Sequence, residues 1–501
     1  MRCPTSLRPG VLALATLLGG CTLIPDYDRP TPPVPAQWPQ GAAYGAPQPG
    51  ESTADSIGWE DFFLDPGLRR LVLIALENNR DLRVAALNVQ AADAQYRVQR
   101  GDLFPQIAAT ADLESQQTSA SVARTPNPQT IRTWSVGGSF STWEIDLFGR
   151  IRSLTTAAQE TVFANAENQR ATQISLVAEV ANAYIALLAD RQLLALTRQT
   201  LASQEESYRL TQAATLGGTD TALTLRQAET SVETARVNLA LYTREVAQAE
   251  NALALLLGQP VPADLPDSTT LDTPLVMTQL PAGLSSEVLL RRPDIVAAEH
   301  NLLSANANIG AARAAFFPSI TLTSSYGSSA ASLAQLFKPG SGSWSFSPQI
   351  TLPIFTGGIN QATLDYEKIQ KSVEVATYEK AIQSGFREVS DALAARGTYG
   401  NQLAAQQRLT DAYADSYRLA QLRFRSGVDN YLTTLDSQRE LYAAQQALIT
   451  LKQEQLENQV TLYKVLGGGW QQASTTPVSS ASNASTTPAI APNLGTNLVH
   501  P

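Results

Sequence analysis

A shift of 209 residues superimposes one half of this chain on the other, and that repeat limits the available folds more than any single motif. The stretch Arg425-Ser-Gly-Val-Asp-Asn-Tyr-Leu-Thr-Thr-Leu-Asp436 answers an earlier one, Leu216-Gly-Gly-Thr-Asp-Thr-Ala-Leu-Thr-Leu-Arg226. The same shift maps Ser207-Tyr-Arg-Leu210 onto Ser416-Tyr-Arg-Leu419, Asp220 onto Asp429, Leu223 onto Leu432 and Leu257-Gly258 onto Leu466-Gly467. Each copy reads as the turn between two long helices. Gly218 and Gly427 supply the permissive backbone at the stop, and Asp220 and Asp429 are the expected N-caps of the returning helices. A unit of roughly 210 residues is far longer than a solenoid repeat, so a domain-sized unit has been duplicated.

The helices around these turns are unusually long. Arg150 to Leu216 and Ile359 to Arg425 contain no Pro, and at 1.5 Å per residue each such run spans roughly 100 Å. Leu187, Leu194, Leu201 and Tyr208 recur every seven residues, as do Leu225, Val232, Leu239, Val246 and Leu253, the latter followed three residues on by Ala228, Ala235, Tyr242, Ala249 and Leu256. Heptads of this kind demand lateral partners, because no compact domain can bury helices of that length.

Each long run is preceded by a helix ending in Phe-Pro and then by strands. Asp65-Pro66 opens a helix through about Asn78, and Asp81 begins another that ends at Phe104-Pro105. With the shift now 213, Asp294 through Phe317-Pro318 repeats it: Ala85 maps to Ala298, Arg100 to Arg313 and Ile107 to Ile320. The pattern then alternates. Ile107, Ala109, Ala111 and Leu113 oppose Asp112. Trp134, Val136, Gly138, Phe140 and Thr142 oppose Ser135, Ser139 and Ser141. Ile320, Leu322 and Tyr326 oppose Thr321 and Thr323, and Trp344, Phe346, Ile350 and Leu352 oppose Ser343, Ser345, Ser347 and Thr351. Short alternating strands with aromatics near their ends are the signature of a transmembrane β-barrel, in which Trp134, Phe140, Trp344, Phe346, Ile350 and Leu352 would face lipid. A soluble sandwich alternates in the same way, and the amino terminus decides between them.

Residues 1–20 carry Arg2 and Arg8 before the apolar run Val11 to Leu18, which is a secretory leader too short to span a membrane as a helix. It ends Leu18-Gly-Gly-Cys21, the lipobox pattern, so Cys21 is the expected lipidation site and the only mature cysteine. Thr22 in place of Asp resembles outer-membrane sorting in enterobacterial lipoproteins. Residues 21–58 follow as a lipidated tether, whose eight prolines in 22–58 keep it extended and unfolded. Repeat one then covers 59–258, a Pro-rich linker 259–285, repeat two 286–470, and a disordered tail 471–501 that lacks any Lys, Arg, Asp or Glu.

Removing Arg2 and Arg8 with the leader takes the formal charge from −9 to −11, which with no basic stripe argues against nucleic acid. Two His, His300 and His500, and two Cys leave almost nothing for a metal centre or His-based catalysis, so no cofactor and no enzymatic activity are expected. Four strands cannot close a barrel and open edges are not tolerated in lipid, so each chain must lend its four to a shared barrel of eight, twelve or sixteen. The expected fold class is therefore membrane α+β: a barrel shared between subunits, continued by a coiled-coil helical barrel, with internal duplication.

Cys21-Thr-Leu-Ile-Pro-Asp-Tyr27, Leu290-Arg-Arg-Pro-Asp294, Ala315-Phe-Phe-Pro-Ser319 and Gly427-Val-Asp-Asn-Tyr-Leu-Thr-Thr-Leu-Asp-Ser-Gln-Arg439 through Leu466-Gly-Gly-Gly469 resemble the OprM/NodT-like lipoprotein branch of the TolC-type outer-membrane factors. The resemblance covers about residues 17 to 470. It implies a homotrimer with one twelve-stranded barrel in outer-membrane lipid and a helical tunnel through the periplasm. It also implies a periplasmic adaptor and a proton-driven inner-membrane transporter of the resistance–nodulation–division class, with drugs or other small amphiphiles as cargo. The matching positions place a periplasmic gate at Leu432 and Asp436, four apart and so stacked on one helix face. Copy one has Leu223 but Gln227 there, so a carboxylate ring belongs to copy two alone. Two other readings remain: an exit duct for secreted protein, and a lipid-anchored coiled-coil scaffold that leaves the strands unexplained.

Overall fold

The computed structural model describes residues 22–44, 56–123, 128–264, 270–278, 280 and 286–474. The leader, Cys21 and residues 475–501 lie outside the described residues, as does much of the linker. Helices α1 (Trp59–Phe62), α2 (Pro66–Asn78) and α3 (Arg80–Gly101) lead into strand β1 (Ala108–Thr118), a single turn α4 (Ala120–Ala123) and β2 (Gln129–Glu144). The long pair α5 (Arg150–Leu216) and α6 (Ala222–Leu257) follows. After the linker come α7 (Pro293–Ala314), β3 (Ser319–Ala330), β4 (Gly342–Thr351), α8 (Ile359–Arg425) and α9 (Tyr431–Val465). The helices α5 and α8 are each 67 residues long, and both start after a left-handed glycine, Gly149 at φ 78° and Gly358 at φ 87°.

Asp65 caps α2 as its sequence suggests, accepting from Leu68 N at 2.7 Å ahead of Pro66. Asp81, by contrast, lies inside α3, whose cap is Asn79 accepting from Leu82 N at 3.0 Å. Its counterpart α7 begins at Pro293, one residue before Asp294, with Arg292 at the N-cap and no side-chain cap.

The sheet runs β1-β2-β3-β4, antiparallel throughout. Register places Leu113 opposite Trp134, Trp134 opposite Ala330, Tyr326 opposite Trp344 and Ser324 opposite Phe346. Directly paired residues share a face, so Leu113 of β1 and the aromatic positions of β2, β3 and β4 gather on one side, with Ser324 and Ser328 among them, while Ser135, Ser139, Ser325, Ser343 and Ser345 lie on the other. One position departs from the alternation. Between Phe140 and Trp143 the β2–β3 register slips by one residue, with Thr142 at φ 57°. This bulge takes Thr142 off the apolar face and puts Trp143, which pairs with Leu322, in its place. Leu352 lies one residue past the end of β4. The seam between β2 and β3 brings Gly137 opposite Gly327, where a Cβ on either would collide with the other strand's backbone.

The helices pack as two antiparallel pairs, α5 on α6 and α8 on α9, joined where α5 meets α9. Nearer the sheet, α3 lies against α5, and α7 lies between α5 and α8. Helix ends abut at two points. Asn79 Nδ2 donates to Leu256 O at 2.9 Å where α6 meets α3, and Arg292 Nη1 donates to Val465 O at 3.1 Å where α9 meets α7. Both donors satisfy carbonyls that a helix terminus leaves unpaired.

The main core sits at this level. Phe62 stacks on Tyr463 at 4.0 Å between centroids, and Tyr463 Oη donates to Ile57 O at 2.6 Å. Trp59, Phe62, Phe63, Leu253, Leu257, Tyr184, Ile185 and Tyr378 are almost fully enclosed, each worth on the order of 1.5–3 kcal/mol of burial. The apolar middle of α5 is long enough to cross a membrane but is largely buried in this core. Two expectations about the chain ends change. Residues 471–474, read as the start of a disordered tail, are docked: Trp59 N and Glu60 N donate to Gln471 O and Gln472 O, and Ser474 N donates to Asp61 Oδ2. Residues 22–44, read as a free tether, are extended but bound along α7 and α8, because buried polar groups on those helices hold them there.

Candidate functional site

Two surfaces concentrate the exposed side chains that a folded monomer would normally hide. The first is the sheet. Trp344, Phe346, Ile350 and Leu352 stand 76%, 59%, 69% and 55% exposed. Trp134 and Phe140 are half-exposed, because their strand is flanked on both sides. The opposite face is hydroxyl-lined, with Ser325 and Ser345 hydrogen-bonded across β3 and β4 at 2.7 Å. Within the chain nothing pairs the outer edges of β1 and β4 among the described residues. The sheet thus presents one apolar face, one hydroxyl-rich face and two open edges among the described residues.

The second surface is the pair of turns at the far end of the long helices. Gly218 (φ 75°) and Gly427 (φ 70°) adopt the left-handed backbone that the sequence required of them. The capping assignment was one residue early. Thr221 caps α6, accepting from Thr224 N at 3.2 Å, and Asn430 caps α9, accepting from Thr433 N at 3.4 Å. Asp220 instead accepts from Thr221 N at 2.7 Å, while Asp429 reaches back across the turn to Arg423, whose Nε and Nη2 donate to its carboxylate at 2.5 and 3.0 Å. That hydrogen bond holds the Asp429 carboxyl below the usual aspartate range. Ala214 stands at the Arg423 position in copy one, so only the second turn carries this staple.

On the returning helix α9, Tyr431, Thr434, Leu435 and Gln438 turn inward and are buried, whereas Leu432 is 38% exposed and Asp436 is exposed one turn on. Leu432 is therefore not a core heptad residue of its own subunit; Leu435, fully buried against Ala228 and Tyr431, takes that part. Asp436 lies 3.6 Å from Arg439, which also donates to Ser231 Oγ at 3.0 Å and Thr230 Oγ1 at 3.3 Å on α6. Further along, Gln438 donates to Ser203, Tyr442 meets Thr197 and Asn238, and Gln446 donates to Tyr242. The two hairpins are thus fastened to each other by these polar contacts as well as by the apolar cluster of Ala228, Tyr431 and Leu435, and the part of Arg439 in this is one that residue spacing did not reveal.

Residues 71–259 and 284–468 both match the outer membrane efflux protein family. The chain belongs to that family. Among relatives, the toluene efflux pump outer membrane protein TtgC of Pseudomonas putida is 52% identical over 458 residues, 91% of this chain and 94% of the relative. The outer membrane protein OprJ of Pseudomonas aeruginosa is 42% identical over 461 residues, 92% of this chain and 95% of that one. Among solved structures, the open state of the Neisseria gonorrhoeae MtrE outer membrane channel superposes with a TM-score of 0.84 at 40% identity, covering 91% of this chain and 100% of that one. As a family member the chain is an outer-membrane efflux component, and its fold is that of the outer-membrane channels.

Proposed function

We propose that three copies of this chain close a twelve-stranded barrel in the outer membrane and continue it as a helical tunnel, a passive exit duct for drugs, solvents or other small amphiphiles. The duct completes a tripartite pump with a periplasmic adaptor and a proton-driven inner-membrane transporter. The single observation that carries the ring is a coincidence of positions between the halves. Within the chain, α7 of copy two meets α5 of copy one through His300 and Glu160 at 2.7 Å and through Ser304 and Ala157 at 2.9 Å. Shifting each residue into the other copy (300 less 213, 160 plus 209; 304 less 213, 157 plus 209) gives Leu87 with Ile369 and Ala91 with Tyr366. Leu87, Ile369 and Tyr366 are 51%, 61% and 56% exposed in the isolated subunit. The contact made once inside the chain recurs between neighbours, where apolar pairs replace polar ones and the next sheet edge is brought alongside. The equal helix lengths and doubled family match support the duplication that makes this possible.

In such a ring the hairpin turns gather at the periplasmic end. Leu432 and Asp436, uncommitted to their own subunit's core, become a ring of apolar side chains above a ring of carboxylates. The first resists wetting and the second favours cations. Purified protein in a planar bilayer tests both levels: Leu432→Ala and Asp436→Ala should raise single-channel conductance, and Asp436→Ala should lower cation preference. Absence of any conductance would favour the scaffold, and wild-type behaviour of both variants would place the gate elsewhere. Retention of a secreted protein rather than a dye after gene deletion would favour the secretion duct. Cys21 is proposed to carry the lipid anchor, and an unmodified Cys21 in the intact mass of the mature chain would remove it.

A further inference from the structure

One stripe of α7 makes most of the hydrogen bonds that hold the amino-terminal segment. Glu299, Asn306 and Arg313 recur every seven residues on that helix and meet the strap in reverse order. Arg313 Nη1 donates to Leu23 O at 3.2 Å, and Asn306 Nδ2 donates to Pro25 O at 2.8 Å. Glu299, 8% exposed, accepts from Arg29 Nε and Nη2 at 2.7 and 2.6 Å and from Tyr27 Oη at 3.1 Å. Beyond this point Ser286 donates through its Oγ to Pro35 O at 2.7 Å, and Trp38 stacks on Phe386 of α8 at 5.2 Å.

The lengths match. Six extended residues from Leu23 to Arg29 reach roughly 20 Å, and fourteen helical residues from Glu299 to Arg313 span roughly 21 Å. Gly310 makes the groove: a Cβ there would collide with Ile24 and with Ser153 Oγ of α5. The buried carboxylate is the discriminating group, since a charge this enclosed is tolerated only when paired and hydrogen-bonded.

The equivalent stripe of α3 lacks these features. Glu299 corresponds to Ala86, Asn306 to Asp93 and Gly310 to Arg97, with only Arg313 retained as Arg100. Asp93 and Arg97 pair with each other at 3.0 Å across the place where the strap would lie. The corresponding stripe of copy one thus lacks the carboxylate and the glycine that seat the strap.

We propose that the groove formed by α7 and α8 of copy two with α5 of copy one is a peptide-binding seat addressed to residues 23–38 of this chain, with Glu299 as its lock for Tyr27 and Arg29. Seating brings the start of the strap to Arg313, six residues before β3, so the amino terminus leaves the body beside the base of the strands. Releasing the lock frees the strap without unfolding the helices, whose contacts with one another do not pass through it.

Chymotrypsin cleavage after Tyr27, followed by intact mass on the full-length protein in detergent, tests the seat, with helix content and oligomer size measured alongside. The wild type should resist. Glu299→Gln, which keeps the side chain's shape, and Arg29→Gln should each raise the cleavage rate at Tyr27 at least tenfold with helix content unchanged. The reversed pair Arg29→Glu with Glu299→Arg should regain most of the protection. Equal cleavage of wild type and Glu299→Gln, or a reversed pair no better protected than either single variant, would overturn the proposal.

Discussion

At the second turn, two neighbouring side chains, a carboxylate and an amide, divide the work that one was expected to do. Asn430 accepts from the free Thr433 N–H in the first turn of α9, while Asp429 ties the turn to the preceding helix through Arg423. Removing an N-cap costs about 1 kcal/mol of local stability, so Asn430→Ala should raise hydrogen exchange over Tyr431–Thr434 more than Asp429→Ala does, since an exposed ion pair contributes little. The Asp429 carboxyl is depressed by its hydrogen bond from Arg423. A group whose folded-state pKa is lowered stabilises above its unfolded value and loses that contribution as pH falls through the folded one. Acidification below the ordinary aspartate range should therefore lower amide protection at the second turn by more than at the first, where Ala214 stands in place of Arg423 and no such staple exists. Equal loss at both turns would show that the staple is not responsible.

At the scale of elements, the sheet offers the sharpest contrast, because in the proposed barrel its two faces would meet different solvents. Phe346 and Ser345 lie side by side in the middle of β4 with opposite orientation. An arginine on the lipid side near mid-depth costs about 2–4 kcal/mol, whereas one on the wet side is mild. Phe346→Arg should thus reduce the fraction of folded, heat-modifiable protein, and Ser345→Arg should not. Similar behaviour of the two would mean that the faces are misassigned. The bulge at Thr142 belongs to this scale as well. Alternation in the sequence runs through Phe140 without a break, and nothing in Ser141-Thr-Trp143 announces the extra residue. A bulge is settled by how two strands must meet at the base of the sheet, so Trp143 joins the apolar face unforeseen.

At the scale of the whole molecule, the proposed ring makes the subunit a fragment of a larger surface. Its exposed apolar positions fall where the duplicated unit makes contacts internally, as with Leu87 and Ile369. Placing Cys at both positions in a chain lacking Cys21 should yield, on mild oxidation, disulfide-linked oligomers up to three chains, while each single substitution should give none of the ladder. Failure of the double variant to cross-link, with the barrel assembled, would refute the ring as drawn. The polar fastening of the hairpins through Arg439, Gln438 and Gln446 fits such a tube: hydrogen bonds exchange partners with water at small net cost, whereas an apolar seam resists separation.

Periodicity and repetition were decided within the chain itself. The heptads, the two Pro-free runs, the alternating strands and the turn glycines are local patterns, and local backbone preference with hydrophobic phase suffices to specify them. Tertiary structure decided what depends on distant partners. Which polar residue caps a turn depends on where the chain closes, and Leu432 faces outward because Leu435 already fills the core position. The fate of the Pro-rich segment was decided the same way. Its composition set an extended backbone, but distant partners, the enclosed carboxylate of Glu299 some 270 residues away among them, hold it bound. A buried charge must find its partner, and the chain that supplies it is thereby held in place.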